Sequence, residues 1–175
     1  VPVAAAPDGR VARFDSGGDA NDRDRVWADL GQLDAEVRAV DGRLLAATDG
    51  VYRLPGPSFA GLDDARDVAA AGPLAATGSG LYSLGNGWMD ELSGAFRVAA
   101  SDGERAHAAT AASFFERISG EWREVDLPAD ATVVDVAYGE ATYAATATGV
   151  LFADAGGGWR SHPLGVEGVV GCAVG

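Results

Sequence analysis

Self-similarity constrains this chain more than any other feature, because a recurring unit must fold the same way each time it recurs. Leu45-Ala-Ala-Thr48-Asp-Gly-Val-Tyr52 returns as Leu74-Ala-Ala-Thr77-Gly-Ser-Gly-Leu-Tyr82 and as Tyr143-Ala-Ala-Thr146-Ala-Thr-Gly-Val-Leu-Phe152. His107-Ala-Ala-Thr110 with Phe114 and Phe115 is a fourth copy, and Val3-Ala-Ala-Ala6-Pro-Asp-Gly9 a looser fifth. An aromatic residue follows each copy: Trp27, Phe59, Trp88, Trp122 and Trp159. In the last four copies it lies 11 to 13 residues after the Thr; in the first, an insertion from Asp15 to Asp24 stretches the interval. A third column precedes the copies, in Val37-Arg38-Ala-Val-Asp-Gly42, Asp67-Val-Ala-Ala-Ala-Gly72, Phe96-Arg97-Val-Ala-Ala-Ser-Asp-Gly103 and Val134-Asp135-Val-Ala-Tyr-Gly139.

The Thr column steps by 29, 33 and 36 residues, a period open to helical or β repeats. Local chemistry decides for β. Asp8-Gly9, Asp41-Gly42, Asn86-Gly87 and Asp102-Gly103 are hairpin-turn dipeptides, with short apolar runs between them. The Ala-rich stretch Glu104–Phe115 has helical propensity, but its aligned copies carry Gly in mid-segment, which would break a helix. Each unit therefore reads as four short strands, and four-stranded units repeated around an axis predict an all-β fold, a five-bladed β-propeller. The ends extend the pattern. Val169-Val-Gly171-Cys172-Ala-Val-Gly175 matches Val133-Val-Asp135-Val-Ala-Tyr-Gly139, the first strand of a unit, while Val1–Ala6 begins at a second strand. Pairing of the N- and C-terminal strands would close the ring and cover a bare sheet edge. The units are then 1–34 plus 168–175, 35–64, 65–94, 95–130 and 131–167 of a single domain. An open arc, cropped from a longer propeller, has the same local sequence and is the alternative.

Leu45-Ala-Ala-Thr-Asp-Gly-Val-Tyr-Arg-Leu54 resembles the Gly-Thr-x-x-Gly-Leu-Tyr repeat of regulator-type and sialidase-like propellers. Asp154-x-Gly156-x-x-Trp159 resembles an Asp box that has Phe152 in place of the leading hydroxyl residue; Asp boxes are structural turns. The whole chain is similar to a haloarchaeal family of β-propeller proteins, a resemblance that brings no activity with it.

The charge supports the halophilic reading. All 13 basic residues are Arg, against 18 Asp and 8 Glu, for a net charge of −13. At molar salt the Debye length falls to about 3 Å, which mutes repulsion among surface carboxylates. So large an acid excess argues against nucleic acid as a partner. No apolar run is long enough for a membrane-spanning helix, and no signal peptide or lipidation motif is evident, so the expectation is a cytoplasmic protein with no membrane partner.

Chemistry-bearing residues are few. His107 falls in the second-strand column and reads as a packed core residue; His162, before Pro163, reads as surface. Cys172 aligns with Val136 and Ala39 and reads as a small buried hydrophobe. The insertion Asp15–Asp24 is rich in oxygen ligands but lacks calcium-loop spacing, since Arg23 falls where a donor is needed; it reads as a hydrated loop. No Walker loop, dinucleotide turn or nucleophile elbow occurs, so neither a cofactor nor a metal is expected. One constellation stands out. Near the start of the axis-lining strand, Arg38, Asp67, Arg97, Asp135 and Gly171 alternate in charge around the ring. They predict structural ion pairs or a polar channel mouth for a small charged ligand, with Gly171 leaving room. The function expected is a non-catalytic binding or protein-interaction scaffold, its partner an unidentified protein or a small charged ligand. The alternatives are a sialidase-like or lyase-type enzyme using that Arg/Asp ring, and a structural subunit of a larger assembly.

Overall fold

The computed structural model describes residues 2–15 and 26–175, and all their regular structure is β-strand. Apart from Asp15, the insertion read as a hydrated loop lies outside the described residues. The first sheet holds β1 (Val3–Ala5), β2 (Arg10–Asp15) and β3 (Val26–Gln32). The second holds β4 (Val37–Asp41), β5 (Leu44–Ala47), β6 (Gly50–Arg53) and β7 (Ser58–Gly61). The third is β8 (Ala65–Ala69), β9 (Leu74–Thr77), β10 (Gly80–Leu84) and β11 (Trp88–Ser93). The fourth is β12 (Val98–Ser101), β13 (Ala106–Ala109), β14 (Phe114–Ile118) and β15 (Glu121–Val125). The fifth is β16 (Val133–Tyr138), β17 (Thr142–Thr146), β18 (Val150–Asp154) and β19 (Arg160–Pro163). Every pairing within a sheet is antiparallel between consecutive strands, and the five sheets are the blades of a β-propeller.

The repeated Thr shapes the turn between the second and third strands of a blade. Thr77 Oγ1 accepts the N–H groups of Ser79 and Gly80 and donates to the Gly80 carbonyl. Thr146 Oγ1 does the same with Val150, and Thr110 Oγ1 accepts from Ala112 and Ser113. A short hydroxyl side chain thus satisfies backbone donors that the hairpin leaves unpaired. Asp154 closes the Asp-box turn similarly, its Oδ1 accepting from Gly156, Gly157 and Gly158 at 2.8, 3.1 and 3.0 Å.

Period-two alternation explains how blades stack. Along β5, Leu45 and Ala47 face the first blade with Val11 and Leu33, while Leu44 and Ala46 face the third with Val68 and Ala75. Each junction between successive blades has one such cluster; the next two centre on Phe96 and on Phe114 with Phe152. The buried alanines Ala46, Ala75, Ala108 and Ala144 let neighbouring sheets approach closely.

The aromatic column is only partly buried. Trp88, Trp122 and Trp159 are half-buried, and Trp27 and Phe59 are 52% and 60% exposed. Among the described residues no element lies outside the outer strand, so the indoles of Trp88, Trp122 and Trp159 each cover the junction behind them and leave one edge wet. Trp88 Nε1 donates to the Ala60 carbonyl of the preceding blade at 2.8 Å, and Trp122 Nε1 to Glu91 Oε2 at 2.9 Å. Trp159 stands edge-on to Phe114 of the fourth blade, ring centres 5.3 Å apart.

The expected pairing of the chain's two ends is not formed. Among the described residues β1 pairs only with β2, and Leu164–Gly175 contains no strand. The C-terminal segment is held instead by the fifth blade: Leu164 donates to Gly149, Gly168 to Ala147, and Cys172 N–H to Asp135 Oδ2 at 2.8 Å. Its placement has a counterpart inside the molecule, where Asp67 Oδ2 of the third blade accepts the Ala99 N–H of the fourth at 2.9 Å. The segment therefore occupies the first-strand position of a following blade, fixed by its contacts to the fifth blade rather than by β1.

Candidate functional site: an arginine pocket at the axial mouth

The first strand of each blade from the second to the fifth contributes to one end of the axis. β4, β8 and β16 each carry a register shift on the side facing their second strand, which makes Arg38, Arg66 and Val134 the extra residues of β-bulges. A bulge re-aims the inserted side chain out of the ladder. β12 has no shift, and Arg97 immediately precedes it, its N–H bonded to the Ala109 carbonyl. These side chains meet in a pocket of about 390 Å³ lined by Arg38, Asp64, Arg66, Arg97 and Val134.

Within it the charges form a staircase. Arg38 Nη1 bonds Asp64 Oδ1 at 2.6 Å and the Ala65 carbonyl at 3.2 Å, both on the next blade. Arg66 Nη2 bonds Asp64 Oδ2 at 3.0 Å, and its Nη1 reaches the Phe96 carbonyl of the blade beyond at 3.5 Å. The bond from Arg38, with help from Arg66, holds the Asp64 carboxyl below its ordinary pKa. Arg97 is the third step. It is exposed, and among the described residues its guanidinium has no hydrogen-bonding or ion-pairing partner. Where Asp64 precedes Arg66 by two residues, Ala95 precedes Arg97.

The expected ring of alternating charges separates into two layers. Arg38 and Arg97 come together in the pocket; Asp67 and Asp135 do not line it. Asp67 accepts from Val68 and Ala99, and Asp135 from Val136 and Cys172. Both carboxylates cap backbone amides between blades. Burial, only partly offset by those amides, pushes the Asp67 carboxyl up to about 7. Gly171 leaves no vacancy, since a Cβ there would lie 3.2 Å from Asp135 Oδ2.

Arg66 and Asp64 escape the sequence reading because a column drawn through Arg38, Asp67, Arg97 and Asp135 passes Arg66 by one residue. Aligned on the residue before the aspartate, Arg66, Arg97 and Val134 share a column, and the common Asp in Arg66-Asp67 and Val134-Asp135 was the available signal.

His107 belongs elsewhere. It is buried between the fourth and fifth blades, stacked on Phe114, with Nδ1 3.0 Å from the Tyr138 hydroxyl. Burial, reinforced by Arg105, lowers its pKa to about 4, so the ring is neutral at pH 7. Tyr138 in turn stands under the Arg105 guanidinium. Cys172 is half-buried, and burial raises its thiol pKa to about 11, which leaves it unreactive at neutral pH. His162 is exposed. Among the described residues, no three His, Cys, Asp or Glu side chains are grouped to hold a metal ion, and no helix is long and apolar enough to cross a membrane.

Five blades around an axis, with a cationic mouth, place the chain among β-propeller proteins, a fold consistent with a binding scaffold. It belongs to the HVO_0234-like β-propeller family, which matches residues 1–175. No curated protein matches it in sequence. Among solved structures it is similar to the computationally designed Ika8 protein, with 14% identity over 97% of this chain and 60% of that one, TM-score 0.67. It is also similar to the extracellular domain of BT4673 from B. thetaiotaomicron, with 12% identity over 95% of this chain and 28% of that one, TM-score 0.58. YCF48 bound to D1 peptide is 14% identical over 87% of this chain and 61% of that one, TM-score 0.57. The chain thus spans about three fifths or less of each of these structures, and at such identities the likeness is one of fold.

Proposed function

We propose that this protein is a non-catalytic binding scaffold that engages a negatively charged ligand or partner segment at the axial mouth. One observation carries the reading. Three of the 13 arginines of a chain with net charge −13 converge on one pocket, and among the described residues only one carboxylate, that of Asp64, stands among them. A ligand that is to approach so acidic a molecule needs a local reversal of field, and the mouth supplies one. The pocket holds hydrogen-bond donors and fixed positive charge but neither a nucleophile nor a free acid–base pair, a composition suited to binding rather than bond cleavage. YCF48, which has a similar fold, is a peptide-bound propeller, and its case favours a binding role here.

The test is affinity capture in molar salt from the cells that make the protein, comparing wild type with Arg97→Glu and identifying retained small molecules and proteins by mass spectrometry. A ligand or partner kept by wild type and lost by the variant supports the reading. Equal retention by both puts binding away from the mouth and overturns it.

A further inference from the structure

We infer that Arg97, backed by Arg66, anchors a small oxyanion of charge −2, a phosphate or a compact dicarboxylate. This rests on the reading of the axial mouth as the binding face. The argument starts from the repeated staircase. Arg38 is satisfied by a carbonyl and a carboxylate of the following blade, and Arg66 by the Phe96 carbonyl of the following blade and the Asp64 carboxylate of its own. Arg97 stands at the next equivalent step and receives neither among the described residues: the acid position holds Ala95, and the neighbouring blade presents Val134. Its guanidinium keeps five N–H donors in a planar fork, the geometry that takes two oxygens of a carboxylate or phosphate at once.

Charge sets the class of ligand. Three guanidinium groups against the one Asp64 carboxylate leave the pocket with a net charge of +2. A dianion neutralises it, whereas a monoanion leaves one cation uncompensated. Size is compatible with that class, because about 390 Å³ open to solvent has room for a phosphate or a three- or four-carbon diacid. Val134 gives the same pocket an apolar lining residue, suited to the carbon chain of a diacid.

The experiment is calorimetric titration of the full chain at constant ionic strength in potassium chloride, with inorganic phosphate in one arm, malonate in a second and acetate in a third. Saturable binding of phosphate or malonate, and none of acetate over the same range, is expected; whichever arm binds identifies the source of the oxyanion. Arg97→Gln should weaken that binding about tenfold or more, the cost of a lost charge-assisted contact. Asp64→Asn should tighten it and admit acetate by removing the internal competitor. The Arg97 side chain bonds nothing else among the described residues, so its variant should fold, which circular dichroism checks. No saturable binding in either dianion arm, or binding unchanged by Arg97→Gln, overturns the inference. If Arg97→Glu still abolishes capture of a protein partner while neither dianion binds, the inference fails and the binding-face reading stands.

Discussion

At the residue scale, Asp67 and His107 pull stability in opposite directions as pH changes. The Asp67 carboxyl has a folded-state pKa of about 7, above the roughly 4 of an unfolded aspartate. Between those values the folded chain keeps a proton the unfolded chain has released, so this group's contribution falls as pH rises through the window. His107 is depressed to about 4 from the ordinary 6.5, so the unfolded chain takes up a proton first as pH falls. Its contribution is therefore lost as pH drops from about 6.5 toward 4. Urea midpoints at fixed salt from pH 4 to 8 should show Asp67→Asn losing less stability on the alkaline side, and His107→Leu losing less on the acid side. A profile that keeps its wild-type shape in either variant would contradict the burial assigned to that residue. The place of His107 in the packed column was legible from its alignment with Leu45 and Leu74. That of Asp67 was not, because a one-residue bulge turns Arg66 into the pocket and its neighbour toward the next blade, and bulges leave no composition signal.

At the scale of the element, the outer-strand aromatics bridge blades. Trp122 and Trp159 pack on the blade before them and are half-buried, while Trp27 is 52% exposed. Trp122→Ala and Trp159→Ala should each cost about 2–3 kcal/mol, below or at the low end of the range for fully buried aromatics, and Trp27→Ala about 1 kcal/mol or less. Chemical denaturation of the three variants checks the order; a Trp27 variant as damaged as the others would contradict it. The strand order of the second to fifth blades and the turn chemistry were readable here, because Thr77, Thr146 and the Asp-Gly pairs act on their immediate neighbours. The fate of Val169–Val174 was not. Its sequence identifies it as a first strand, but which blade holds it depends on long-range bonds such as that between Cys172 and Asp135.

For the whole molecule, charge and architecture act together. A net charge of −13 on 175 residues repels itself when counterions are withdrawn, and the stack relies on four narrow junctions rich in alanine. The melting temperature should therefore climb steadily from dilute buffer to molar potassium chloride, and scanning calorimetry that finds it flat would remove the electrostatic argument. Composition alone spoke of acidity and salt; the cationic mouth appears only when four first strands converge on one axis and bring together arginines from positions 38, 66 and 97. That convergence is the centre of the account, and anomalous diffraction from crystals soaked in selenate tests it most directly. The account predicts the strongest selenium peak inside the axial pocket, within hydrogen-bond reach of the Arg97 guanidinium. An empty pocket in crystals whose selenate sits on other arginines would contradict it.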